Sequence, residues 1–405
     1  MPPLVGPRRG TTHEEEPMTA WRPLTGSARA VALEVLLHGP LSRVELARRL
    51  DLSQGSLSRL ARPLLDAGLL VEAGASREPG GGLRDGVRGG AGRPQRPLDV
   101  VARAHHVVGV SLTAHEARGV LTDLRADVLA DVSRPLPGHE PGRVVDVLAE
   151  VVEALTAAAP APLTAVGVAL GGHTADHRTV RTAPFLGWQD VPLAELVRGA
   201  VGVEVVVEND LVAFTEAESW FGAGTGLDRF AVVTVGAGIG FGLVVRGEQV
   251  VGADSGLGLV GHVPLDPTGP VCRSGHRGCA SALLTTDAVA DAVSAAVGRR
   301  VDHAEALRLA ADGEPGARRV VDRAGRALGR LVALAANFTM PRAVVLGGEG
   351  VGLVDVARTA VDEALGADRD PAASALPLEV RGGDFGEWAR GAAVVAIQRA
   401  VVGTG

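Results

Sequence analysis

The stretch Ser42 to Leu70, SRVELARRLDLSQGSLSRLARPLLDAGLL, reads as two short helices joined by a tight turn, the second with a small polar face. Ser42 caps the first helix while Glu45, three residues on, reaches back to the cap, a reciprocal pair that marks a helix start. Val44, Ala47 and Leu50 share one face of that helix. Asp51-Leu52 makes the turn and Ser53 caps the second helix. There Leu57, Leu60, Ala61 and Leu64 recur at the period of a buried face. The opposite face holds Gln54, Ser56, Ser58, Arg59 and Arg62. Gln and Arg make bidentate contacts to base edges. Gly55 and the serines, Ser53 included, keep the helix N-terminus slim enough for its free N–H groups to approach phosphate. A helical hairpin with a merely solvated polar face fits the same residues. Pro63 removes one helical hydrogen bond, but on a helix that ends by Gly68 it bends only the last turn.

The flanks extend this pattern into a winged helix-turn-helix. A helix over Ala28 to Leu37 precedes the pair, and Leu69 to Ala73 reads as a strand. An Arg- and Gly-rich segment follows before Leu98 to Val101 returns as a second strand. Arg93 and Arg96, each beside proline, form a stiff basic tether suited to a narrow minor groove. A flexible linker with incidental arginines reads equally well. Charge is divided to match: residues 21–104 carry 13 Arg against 8 carboxylates, while residues 105–405 carry 25 against 36. The basic end is the one suited to nucleic acid.

The chain's 405 residues, 46% of them hydrophobic, support more than one domain. The expected division is a disordered tail over 1–24, a DNA-binding head over 25–102 and an acidic body over 103–405. Neither lysine nor tyrosine occurs. This excludes a Walker-type phosphate-binding lysine, a Schiff-base enzyme and a tyrosine recombinase. Two cysteines seven residues apart argue for a reducing compartment, and no apolar run suits a signal peptide or a membrane span, so a cytoplasmic protein without membrane contact is expected.

The body reads as a duplication. His106 to Ala130 forms a strand, a turn and a second strand, and Phe230 to Gly252 repeats that plan. In the first half a helix follows near Val144 to Ala158, then a strand at Thr164 to Leu170, a helix at Pro192 to Ala200 and a strand at Glu204 to Glu208. Two α/β lobes with a ligand cleft between them result. In the loop Gly236 to Gly242 the glycines let backbone approach a phosphate, or only turn the hairpin tightly. At Glu208-Asn209-Asp210 a carboxylate can take a proton from a hydroxyl and an amide can hold a second one, unless Asp210 simply caps the helix. His262, Cys272 and Cys279 gather in one compact Gly-rich loop, which favours zinc.

Five stretches in order, FLGWQDVPLAELV, VVVENDLVAFTEAESWFGAGTG, TVGAGIGFGLVVRGE, GHVPLDPTGPVCRSGHRGC and AVVLGGEGV, carry a resemblance to the ROK family, specifically its transcriptional regulators. The resemblance spans about residues 25–400. It implies a winged helix-turn-helix before an actin-like, ribonuclease-H-like sugar-kinase body, a double-stranded DNA operator, a small carbohydrate-like effector and a homodimer or homotetramer.

The departures matter as much. Active kinases of this type open with a strand ending in a metal-organising aspartate and a glycine-rich turn. Here the strand and turn read Gly109-Val110-Ser111-Leu112-Thr113-Ala114-His115, with Ser111 in the aspartate's place. Phosphoryl transfer is mostly positioning and charge neutralisation, so this loss implies no catalysis and no ATP. Asp210 then keeps the base position only as a vestige and joins Asn209 and His262 in binding ligand hydroxyls. Pro184, Leu259 and Ser281 stand where the family places polar groups. The ligand is therefore a sugar held by fewer hydrogen bonds, or something less polar, or sugar is no longer sensed. In the zinc loop the family's middle cysteine is Ser274, and His276 is the candidate fourth ligand beside His262, Cys272 and Cys279. The rival readings are a sugar kinase carrying a DNA-binding head and a ligand-independent DNA-binding protein whose body is a dimerisation scaffold.

Overall fold

The computed structural model describes residues 21–73, 96–157, 159, 162–174, 176–383 and 385–404. At the N-terminal end lie helices Gly26–His38, Arg43–Arg49 and Gln54–Asp66, followed by strands Leu70–Glu72 and Leu98–Val100. The two strands pair antiparallel, Leu70 opposite Val100 and Glu72 opposite Leu98. Both expected caps form: Ser42 accepts from the Glu45 N–H and Ser53 from the Ser56 N–H, each at 3.1 Å. Glu45, however, does not reach back. Its carboxylate holds Arg48 and Arg49, and a multiply bonded ion pair outcompetes one N–H. The buried face of helix Arg43–Arg49 is also shifted, with Leu46 and Ala47 inside and Val44 exposed. In the second helix Leu57, Ala61 and Leu64 are buried as expected.

The body carries two five-stranded sheets on one plan. In the first, strands His106–Leu112, Glu116–Thr122 and Val128–Pro135 run antiparallel, and Leu163–Leu170 and Glu204–Asn209 extend the sheet in parallel from the first of them. In the second, Arg229–Val235, Ile239–Val245 and Glu248–Gln249 form the antiparallel part, and Val344–Gly347 and Leu378–Val380 the parallel part. This repetition is the duplication read from the sequence. A third small sheet, His173–Thr174, Val180–Ala183 and Trp188–Val191, has no counterpart in that reading, because strands of two to four residues carry too little periodicity to see.

Helix Phe385–Ala396 packs on the first sheet and against helix Asp210–Phe221. It crosses the ladder where Gly109 pairs with Gly167, and a Cβ on either glycine would strike the helix backbone at Ala389 or Ala392. Glycine here serves close approach rather than turning. Helix Pro141–Thr156 contributes Val144, Leu148, Val151 and Leu155 to the core that includes Val108, Val110 and Leu121 of this sheet.

The N-terminal helices do not stand apart from the body. Val31, Leu46, Leu57 and Leu98 belong to one apolar cluster with Val107, Ala393, Ile397 and Val401. Within this cluster helix Gly26–His38 meets the body at segment Ile397–Val402, a junction where burying each apolar side chain contributes about 1.5–3 kcal/mol. Arg125 reinforces it by pairing with Asp99. Residues 21–24, assigned to a disordered tail, are ordered. Trp21 Nε1 donates to the Val401 carbonyl at 3.2 Å, and the Leu24 N–H does so at 3.3 Å, because the C-terminal segment offers unpaired carbonyls and an apolar wall. The rest of the expected tail, 1–20, lies outside the described residues, as does 74–95 with Arg93. His106, at the same junction, is fully buried, and neither ring nitrogen has a hydrogen-bond partner among the described residues. Among the described residues no helix is long and apolar enough to cross a membrane.

Candidate functional site

A cleft of about 600 Å³ runs between the two lobes. Its first wall is the hairpin turn after strand His106–Leu112, so Ser111 and Thr113 line it. The start of helix Asp210–Phe221 forms its floor. Asn209 is the cap of that helix: Oδ1 accepts from the Val212 N–H at 3.1 Å and Nδ2 donates to the Gly172 carbonyl at 2.8 Å. Asp210 is therefore not the cap. As the first helical residue it accepts from the Leu211 N–H at 2.8 Å and lines the cleft. Burial, with the negative charge of Glu349 added, pushes its carboxyl up to about 6. Such a group is mostly ionised at neutral pH and titrates just below it. Glu208 does not line the cleft; its carboxylate accepts from the Thr174 hydroxyl at 2.9 Å, with His177 Nδ1 2.8 Å away.

The opposite wall is the turn between Arg229–Val235 and Ile239–Val245. Only Gly236 to Gly238 form that turn; Gly240 and Gly242 lie within the strand, against the expectation of one continuous glycine loop. Their missing side chains make room for Leu211 and Thr215 of helix Asp210–Phe221. Over the turn sits Glu349, whose carboxylate accepts the Ala237 N–H. Pro184 and Ser281 line the cleft as their sequence positions imply. Leu259 is 65% exposed and does not line it.

His262, expected to bind ligand, is not among the residues that line the cleft. The short helical turn Leu259–His262 instead presents its ring to the cysteines, with Nδ1 3.8 Å from Cys272 Sγ and 4.0 Å from Cys279 Sγ. The three donor atoms lie within 4.8 Å of one another. Zinc bonds of about 2.0–2.3 Å at tetrahedral angles put S and N donors roughly 3.5–3.8 Å apart, so this trio needs only a small contraction to fit the ion. His276 stands beside the trio rather than in it, with Nδ1 3.7 Å from Cys272 Sγ and its ring centroid 4.4 Å from that of His262. Burial opposes ionisation of the Cys272 thiol. Backbone and side-chain hydrogen bonds from His276 overcome it and bring the thiol down to about 6. Burial and the neighbouring Cys272 raise Cys279.

On the N-terminal helices, Gln54, Ser58 and Arg59 are exposed. Arg59 and Ser58 have no hydrogen-bond or ion-pair partner among the described residues. Arg62 is exposed but pairs with Asp66 at 3.0 Å, and Ser53 and Ser56 share a hydroxyl hydrogen bond at 3.0 Å. Arg96 is exposed beside strand Leu98–Val100. Sequence reasoning missed Glu349, although it stands in a glycine run, Gly347-Gly348-Glu349-Gly350, where a lone carboxylate is itself a signal.

Two lobes on one plan, closing on a cleft whose floor is a helix-start carboxylate and whose walls are hairpin turns, define the sugar-kinase-like class. The chain belongs to the ROK family, whose model matches residues 107–379. The DNA-binding transcriptional dual regulator NagC of Escherichia coli is 26% identical over 328 residues, 77% of each chain. The crystal structure of a ROK family transcriptional regulator, a homologue of the E. coli Mlc protein, superposes with a TM-score of 0.78 at 24% identity, covering 93% of this chain and 96% of that one. A ROK hexokinase from Thermus thermophilus superposes at 0.60 with 31% identity, over 71% of this chain and 97% of that one. The first superposition extends over nearly the whole chain, and the hexokinase accounts for almost all of itself with less than three quarters of this one.

Proposed function

We propose that this protein is a transcriptional regulator that reads a double-stranded DNA operator through a winged helix-turn-helix head, residues 25–102. Its body, residues 103–405, holds a small carbohydrate-like effector in the cleft. The observation that carries this is the solvent face of helix Gln54–Asp66: Gln54, Ser58 and Arg59 project from a helix whose other face packs on helices Gly26–His38 and Arg43–Arg49. Ser58 and Arg59 have side-chain donors without internal partners among the described residues, and Gln54 has only a long bond to the Arg43 carbonyl at 3.5 Å, so this face is suited to a major groove. The likeness to NagC supports the same reading. The means of response is the contact of helix Gly26–His38 with segment Ile397–Val402, which continues helix Phe385–Ala396, so that ligand closure of the lobes shifts the head.

The cleft does not phosphorylate its ligand. Ser111 gives no carboxylate to organise a metal-bound phosphate, and Asp210 remains as a group that binds hydroxyls, with one N–H of Asn209 still free to do the same. ATP is not a cofactor. Zinc, held by His262, Cys272 and Cys279 with His276 or water in the fourth place, clamps the loop that leads into helix Ala280–Leu284, next to Ser281 in the cleft wall. Paired heads raise affinity by acting on two half-sites, so a homodimer or homotetramer is the working form, to be read by light scattering.

The test is operator binding followed by fluorescence anisotropy at fixed salt, with and without a panel of sugars, beside an assay for ADP release with ATP, magnesium and the same sugars. Sugar-dependent change in operator affinity without ADP supports the proposal. Steady ADP release that Asp210→Ala abolishes would make the protein a kinase with a DNA-binding head. Operator binding that no sugar alters would leave the body as a scaffold.

A further inference from the structure

In both hairpin turns that face the cleft, a side chain of the protein itself takes backbone donors of the turn. In the first lobe, Thr113 Oγ1 accepts from the N–H of His115 at 3.2 Å and of Glu116 at 3.1 Å. In the second, the Glu349 carboxylate takes the Ala237 N–H and lies against Gly236 so closely that a Cβ there would collide with it. The backbone fixes Glu349 in that place. Gly348 adopts φ +94° and packs on the Val235 carbonyl, which a side chain would prevent, and the Gly350 N–H bonds the same carbonyl at 2.8 Å. The carboxylate thus sits where an anion would bind if the turn's N–H were free. Against an anion's attraction to His115 and to the start of helix Asp210–Phe221, the rest of the cleft sets carboxylates. Asp210, Glu116 and Glu349 line it, and among the described residues no arginine does, in a chain without lysine.

We propose that the cleft is capped against anions by the chain itself, Glu349 and Thr113 occupying the two seats a phosphate would take, so that the site selects an unphosphorylated, non-anionic polyhydroxy ligand. Sugar phosphates and nucleotides are excluded by like charge and by the side chains in those two seats, while a neutral sugar or an amino sugar meets hydroxyl acceptors without repulsion. Glu349 is the specificity determinant. This deepens the effector reading above and rests on it only for the identity of the natural ligand; the closure to phosphate is a property of the two turns.

The experiment is isothermal titration of the full chain with pyrophosphate and with ADP, in the native protein and in Glu349→Gly and Glu349→Gln. Glu349→Gly empties the seat and Glu349→Gln removes the charge while keeping the side chain's volume, so one variant covers the other if folding suffers; melting curves verify the fold. The expected result is no saturable binding to the native chain and binding at least about tenfold tighter in one of the variants. Equal binding by native and variant chains, or none by any of them, overturns the proposal. Unphosphorylated hexoses and hexosamines are titrated in parallel. If they bind the native chain while pyrophosphate does too, the anion cap fails and the effector reading stands. If no sugar binds while Glu349→Gly gains pyrophosphate, the cap stands and the effector reading fails.

Discussion

Replacing Arg59 with alanine isolates DNA reading from everything else the protein does. The guanidinium is exposed and has no partner among the described residues, and Leu57, Ala61 and Leu64 on the other face hold the helix without it. Folding stability should therefore change by no more than about 0.5 kcal/mol. Binding is another matter, because a bidentate contact to a base edge is worth about 1–3 kcal/mol. Two heads on one operator double this to about 2–6 kcal/mol, or roughly 30-fold to 10⁴-fold in Kd at about 1.4 kcal/mol per decade. Arg62→Ala should cost less, since Arg62 must first give up its pair with Asp66. The assay is anisotropy on an operator selected from random DNA with the native protein, at one fixed salt concentration, with an unselected duplex as reference. Arg59→Ala should lose affinity for the selected site and little for the reference. Equal Kd values for native and variant protein on the selected site would mean that another element reads the bases.

The remaining predictions concern the body. Gly167→Ala should lower stability by about 3 kcal/mol, the upper end of overpacking, because the new methyl meets the Ala392 backbone and not a side chain that can move; denaturant titration measures it. Sugar affinity should fall about tenfold from pH 7 to pH 5 as Asp210, held near 6 by burial and Glu349, takes up a proton and stops accepting, and Asp210→Asn should flatten that profile. For folding the sign reverses: a raised carboxyl favours the native state at low pH, and that contribution is lost as pH rises through about 6. Burial lowers His106, so the unfolded chain takes up its proton more readily and the fold weakens as pH falls below 6.5; His106→Leu should reduce that acid sensitivity in melts at pH 7 and pH 5. Protein purified without added metal should hold about one zinc per chain by elemental analysis, and Cys272→Ser should abolish it, whereas a metal-free native preparation with the same melting temperature would remove zinc from the account.

The order of elements was fixed locally. Helix caps at Ser42 and Ser53, the apolar period of Leu57, Ala61 and Leu64, and the repeated hairpins from His106 and Phe230 follow from interactions within a few residues, and they stand in the structure within a residue or two of where the sequence puts them. Side-chain partners were less legible. Glu45 chose arginines over its cap, Asn209 took the capping role assigned to Asp210, and His262 turned to the thiols instead of the cleft.

What the sequence by itself determined is the list of parts: an N-terminal unit of three helices and a ribbon, two lobes on one plan, and the residues Ser111, Asp210, His262, Cys272 and Cys279 that depart from or keep the family's pattern. Only the tertiary structure decided how those parts meet. That Val31 and Leu57 share a core with Ile397 and Val401, that Trp21 bonds the C-terminal segment, and that Glu349 covers a turn more than a hundred residues away are contacts between distant segments. No local propensity encodes them, because each depends on which surfaces remain apolar or unpaired after the nearby bonds have formed.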